Sequence, residues 1–107
     1  MNAIPAMNRL IGQFEKLPGI GAKTAQKMAY YVLSGDKERA KEFADALNAA
    51  RESIHYCAKC HNFTDREICD ICADKTRDSA LICVVEQPGD VETLEKMKDY
   101  HGVYHVL

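Results

Sequence analysis

Cys57-Ala58-Lys59-Cys60-His61-Asn62-Phe63-Thr64-Asp65-Arg66-Glu67-Ile68-Cys69-Asp70-Ile71-Cys72 sets two Cys-x-x-Cys pairs eight residues apart near the middle of a chain of 107 residues. Each pair can wrap two thiolates around one face of a metal ion. Two such knuckles complete the closed four-sulfur tetrahedron that structural zinc prefers. The separation is shorter than the usual zinc-ribbon spacing, yet the eight residues between the pairs suffice to run out and fold back as a small hairpin. The expectation is one structural zinc ion held by Cys57, Cys60, Cys69 and Cys72. His55 and His61 stand beside the first knuckle, but four cysteines already fill the shell. Tyr56 and Phe63 flank the same knuckle; they could stack on bases, but in so small a module they are expected to form its core.

Disulfide and redox readings of these cysteines fit less well. The opening Met1-Asn2-Ala3-Ile4-Pro5-Ala6-Met7 has no basic start, no continuous apolar stretch and no secretory cleavage pattern. That favours the cytoplasm, where disulfides are rare. A thioredoxin-type pair opens a helix after a buried strand, whereas Cys57 follows the helix-like run ending at Ser53-Ile54. Cys83, within Leu81-Ile82-Cys83-Val84-Val85, reads as a small buried apolar residue.

Charge is unevenly spread along the chain. The formal net charge is -2, with 28% charged residues. Residues 1–35 carry Arg9, Lys16, Lys23 and Lys27 against Glu15, whereas residues 54–107 carry six Lys or Arg against ten Asp or Glu. A polyanion is therefore expected to meet the N-terminal third. The apolar content excludes wholesale disorder, and no apolar run is long enough to cross a membrane.

In that third, Ile4, Met7, Leu10, Ile11 and Phe14 fall at helical steps. Leu17-Pro18-Gly19-Ile20-Gly21 stops the helix, because Pro18 disfavours helical geometry before it and the glycines permit a tight turn. A second helix is predicted over Ala22–Leu33 and a third from a Ser34 or Asp36 cap to about Ser53, the latter burying Phe43, Leu47, Ala50 and Ile54. At the first turn, Gly19 and Gly21 expose bare backbone, and the N–H groups opening the next helix point outward at its positive dipole end. Lys23 lies within one turn of that anion site and Lys27 one turn later. Backbone donors and a lysine can hold a phosphate together without reading base sequence.

This segment resembles the helix-hairpin-helix motif of DNA repair and replication proteins, in which an apolar residue and Pro-Gly-Ile/Val-Gly precede a basic and a small residue. A simple glycine turn between helices is the bland alternative. Apolar Leu17 and Ile20, Lys23 and the local positive charge favour the motif.

The last segment reads as a strand at Leu81–Val85, a loop at Gln87-Pro88-Gly89-Asp90, a helix over Val91–Tyr100 and a second strand at Val103–Leu107. Two strands and one helix cannot cover both faces of a parallel sheet, so the unit reads as unfinished. The organisation expected is an α+β multi-module chain: residues 1–54 a helical helix-hairpin-helix module, 55–76 a four-cysteine zinc finger, and 79–107 an incomplete βαβ unit.

In this order the parts resemble the RecR family of bacterial recombination mediators along essentially the whole chain. The resemblance implies that residues 79–107 begin a Toprim domain, with Glu86 at the position of the glutamate that ends the first Toprim strand. The later Asp-x-Asp pair and C-terminal segment lie outside this sequence, which reads as the N-terminal part of a protein about twice as long. It further implies a cytoplasmic, non-enzymatic mediator that works with RecF and RecO to load RecA at gaps, assembles as a homo-oligomer when full-length, and contacts DNA phosphates through Gly19, Gly21, Lys23 and, more weakly, Lys27. Glu86 would then dock a basic partner. The alternative is a Toprim-type, magnesium-dependent phosphoryl-transfer enzyme using Glu86 as a metal-binding or acid–base carboxylate.

Overall fold

Pro5 is suited to a first helical position, where its fixed φ is already helical and its missing N–H would have no intrahelical partner. It opens α1 (Pro5–Glu15), which buries Ile11 and Phe14. In a computed structural model of the chain, residues 3–107 are described. They divide into two compact units, one ending at Leu47 and the other spanning Asn48–Leu107.

In the first unit, α1 packs on α2 (Ala22–Ser34), whose small Ala25 and Ala29 are fully buried against Ile11 and Phe14. Alanine at those positions lets the two helices approach closely. Met7, Leu10, Ile20, Met28 and Val32 complete this core. Gly35 follows α2, and a Cβ there would lie 2.7 Å from Arg39 Cδ. That close approach lets the Arg39 guanidinium sit 4.5 Å over the Tyr31 ring. Asp36 caps α3 (Lys37–Ser53), accepting from Arg39 N–H at 3.0 Å.

α3 occupies the expected span but buries none of its residues. Phe43 and Leu47 are 52% and 65% exposed, and Ile54 beyond the helix end is exposed as well. Phe43 makes one ring stack, on Phe14 at 6.3 Å. The apolar face predicted for this helix exists, but apart from that stack its own unit leaves it open. An apolar groove of about 690 Å³ remains open along it, lined by Phe14, Leu17, Ile20, Tyr31, Val32 and Phe43 among others.

In the second unit, β1 (His55–Tyr56) and β2 (Phe63–Thr64) pair antiparallel, Tyr56 opposite Phe63. The hairpin thus closes around the first cysteine pair rather than lying between the two pairs. α4 (Asp70–Ala73) carries the last cysteine. β3 (Asp78–Val85) and β4 (Gly102–Val106) then pair in parallel from Ile82↔Val103 to Val85↔Val106, joined through α5 (Pro88–Lys96). β3 begins before its expected start, and α5 ends short of Tyr100.

Val91 of α5 packs against Tyr104 and Val106, with Cys83, Val85 and Leu94 around them. The opposite sheet face is open: Ile82 and Val84 are exposed, contrary to a strand buried on both faces, and Cys83 is half-buried rather than buried. Two strands with one helix leave that face without a covering layer.

Arg77, which follows the zinc module in the chain, ties the unit together. It pairs with Glu95, donates to Gly102 O at 3.0 Å and lies 3.7 Å from Asp74. Tyr104 Oη donates to Glu95 Oε2 at 2.6 Å.

Candidate metal centre and nucleic-acid interface

The backbone of the knuckles puts the four sulfurs together. Cys57 N–H donates to Asn62 O at 2.6 Å and His61 N–H to Cys57 O at 3.0 Å, which folds Cys57–His61 into a tight turn. His61 accordingly has φ 68°, a left-handed conformation that glycine adopts without strain. On the second pair, Cys69 precedes α4 and its sulfur accepts from Cys72 N–H at 3.4 Å, while Cys69 N–H donates to Cys57 Sγ at 3.3 Å.

The sulfurs of Cys57, Cys60, Cys69 and Cys72 all lie within 4.8 Å of one another, and Cys60 Sγ is 3.6 Å from Cys69 Sγ. A tetrahedron with Zn–S bonds of about 2.3 Å has edges of about 3.8 Å, so this donor set fits one zinc ion. Among the described residues, it is the one group of His, Cys, Asp or Glu with such geometry. None of the five cysteines is in a disulfide. Burial pushes the Cys60 thiol up to about 11 and also raises that of Cys72, where neighbouring thiols add to the effect. At Cys57 burial acts in the same direction, but N–H donors from Cys69, Cys60 and Lys59 outweigh it and bring the thiol down to about 6. Zinc deprotonates its thiol ligands outright, so the metal, rather than the apo environment, sets their charge.

Two supports of this centre have no local signature in the sequence. Ile71, between the last two cysteines, packs against both the cysteine cluster and the Val91 core. Val106 N–H donates to Cys60 O at 2.8 Å, joining β4 to the first knuckle. The expected core residues Tyr56 and Phe63 instead lie at the surface, 52% and 54% exposed.

In the first unit, the turn between α1 and α2 has Gly19 at φ 79°. Leu17 N–H bonds Phe14 O and Ile20 N–H bonds Leu17 O, at 3.1 and 3.2 Å, which winds the turn back toward the core. Gly21 is the N-cap of α2, with no side-chain cap and no acidic residue in the first turn. The first bond of α2 runs from Ala25 N–H to Gly21 O, so the N–H groups before it are available to an outside acceptor, as at any uncapped helix start. A Cβ built on Gly19 or Gly21 meets nothing within 4 Å. Lys23 and Lys27 are both exposed on α2, and the stem of Lys27 also borders the apolar groove. Glu86 stands exposed just past the end of β3, in the second unit.

Comparison with known proteins follows the same division. Residues 7–51 match the family model described as RecR, helix-hairpin-helix, and residues 54–74 match the model described as the four-cysteine zinc finger domain of RecR. The Recombination protein RecR of Lacticaseibacillus casei (strain BL23) is 50% identical over 101 residues, or 94% of this chain and 51% of that protein. The chain thus spans about half the length of this curated relative. The sulfur geometry and the zinc-finger match together assign it one structural zinc ion.

Proposed function

Because the chain belongs to the RecR family across its helical hairpin and its four-cysteine module, we propose that it is the DNA-contacting part of a recombination mediator. It binds DNA through phosphates, without sequence preference, in the repair of gaps. The observation that carries this reading is the start of α2: a left-handed Gly19, a bare Gly21 N-cap, no acidic side chain in the first turn, and an exposed Lys23. Helix N–H groups and one lysine can hold a single phosphate. Lys27 adds a weaker contact.

The role carries no chemistry of its own. Four sulfurs close the zinc shell, leaving no position for water or substrate. Its function is to fold residues 55–76 and hold them to the strand that follows. Residues 79–107 open a Toprim-like domain, and Glu86 docks a basic partner rather than serving as a catalytic acid. The family resemblance supplies RecF and RecO as partners, RecA loading as the outcome, and the cytoplasm as the place. Self-association is supported by the apolar groove along α3, which its own unit leaves uncovered.

Titrating duplexes of unrelated sequence against the native chain and Lys23→Ala at low salt tests the reading. The native chain should bind all duplexes with similar, weak affinity, and Lys23→Ala should weaken each by about the same factor. Strong preference for one sequence, or unchanged affinity in the variant, would remove the hairpin from the proposal.

A further inference from the structure

The zinc module carries an aromatic cluster that its own fold does not use. The ring of Tyr56 stacks on that of His61 at 4.1 Å and 20°, and on that of Phe63 at 5.4 Å and 15°. Tyr56 and Phe63 are each more than half exposed, so the cluster contributes little to a core. His61 holds its place at φ 68°, where glycine would complete the knuckle turn without strain. What histidine adds there is a ring against Tyr56.

Beside these rings lies an unpaired carboxylate. Phe63 and Asp65 together line two hollows, one of about 380 Å³ with Ser53, Ile54 and Thr64, the other of about 390 Å³ with Asp70 and Ile71 among others. Their other polar side chains, Asn62 included, each have a partner within the chain. Ser53 Oγ donates to Ala49 O, Thr64 Oγ1 accepts from Arg66 N–H, and Asp70 pairs with Arg66 at 3.0 Å. Among the described residues, the Asp65 carboxylate has neither an ion pair nor a hydrogen bond.

A nucleobase and a cation both suit an exposed aromatic face. Charge decides between them. Residues 55–76 carry three Lys or Arg against four Asp or Glu, and a zinc ion with four thiolates adds two further negative charges. A phosphate backbone is repelled here, and a guanidinium or ammonium attracted.

We propose that Phe63 and Asp65, backed by Tyr56 and His61, receive an arginine or lysine side chain from a basic segment of a partner protein. The ring face takes the cation through its π-electrons, and the carboxylate pairs with it at the rim. This surface is separate from the α2 start in residues and in the sign of its ligand, so each reading can fail without the other.

The test is titration of the zinc-loaded chain with a short arginine-rich peptide and, separately, with a thymidine oligonucleotide, followed by backbone amide NMR shifts and peptide fluorescence anisotropy. The peptide should shift the resonances of Tyr56, His61, Phe63 and Asp65. Asp65→Asn, at an exposed position, should weaken the peptide about three- to fivefold with zinc content unchanged. Glu67→Gln, a carboxylate outside both hollows, should leave the affinity as it was. Equal weakening by both variants would reduce the site to diffuse charge and overturn the proposal. So would peptide shifts elsewhere, an unchanged Asp65→Asn affinity, or an oligonucleotide that moves these rings where the peptide does not.

Discussion

Gly19 and Gly21 look alike in the sequence and differ in what requires them. Gly19 sits at φ 79°, where a side chain costs about 1–2 kcal/mol whatever the space around it. Gly21 has φ -88° and ψ 178°, open to any residue, and a Cβ there meets nothing. No contact within the described chain calls for its bareness, so an outside group that approaches the backbone is the physical reason left. Gly19→Ala should therefore lower the melting stability of the first unit by about 1 kcal/mol or more. Gly21→Ala should cost about 0.5–1 kcal/mol, because alanine is a poorer N-cap than glycine, while also weakening DNA binding, which Gly19→Ala should spare. Chemical denaturation and duplex titration of the two variants separate these effects. His61 shows the limit of reading at this scale. Its left-handed φ arises from Cys57–Asn62 backbone bonds, whereas local rules look for glycine at such a place.

At the scale of elements, the longer helices and strands were legible because their periods are local, whereas β1, β2 and α4 are too short to show one, and the surroundings of all of them were not legible. Met7, Leu10, Ile11 and Phe14 announce a face on α1, and α2 supplies Ala25 and Ala29 to meet it. Phe43 and Leu47 announce a face on α3 with equal clarity, yet within their unit Phe43 meets the Phe14 ring and both residues stay more than half exposed. Periodicity says that a face wants cover, not that the chain contains it. The same holds for Ile82 and Val84 on β3. The four cysteines needed no such partner, since spacing alone predicted the cluster that forms.

The Arg77–Glu95–Tyr104 network lay beyond sequence reading because its members are far apart and follow no period. Hydrogen bonding from Arg77 holds the Glu95 carboxyl below the usual carboxylate range, although burial opposes the shift; a bond from Tyr104 helps. With the folded value depressed, the stabilisation is complete above the unfolded value and fades as pH falls through the folded one. Native stability should thus decline as the solution is acidified below the normal carboxylate range. Glu95→Gln should cost about 2 kcal/mol at neutral pH, leaving the half-buried Arg77 only the longer contact to Asp74 as a charge partner, and should flatten that acid slope. Denaturation midpoints taken from pH 7 downward for both proteins check the sign.

For the whole molecule, the zinc site and the proposed nucleic-acid contact fall to different units. Zinc organises Asn48–Leu107, where Ile71 and the Val106–Cys60 bond carry its influence into the βαβ core. Metal binding to such a module is also its folding free energy. A strong chelator should therefore lower the melting temperature and collapse the NMR dispersion of Val91, Tyr104 and Val106, while the α1–α2 core keeps its signals. Retention of the second unit's spectrum without zinc would show the metal to be dispensable. The central claim concerns the other unit: phosphates are held at the start of α2, one of them by Lys23. The most direct measurement is duplex affinity across a salt series for the native chain and Lys23→Ala. Removal of one phosphate contact should reduce the slope of log affinity against log salt by about one unit and weaken all sequences alike. Identical slopes for the two proteins would contradict it.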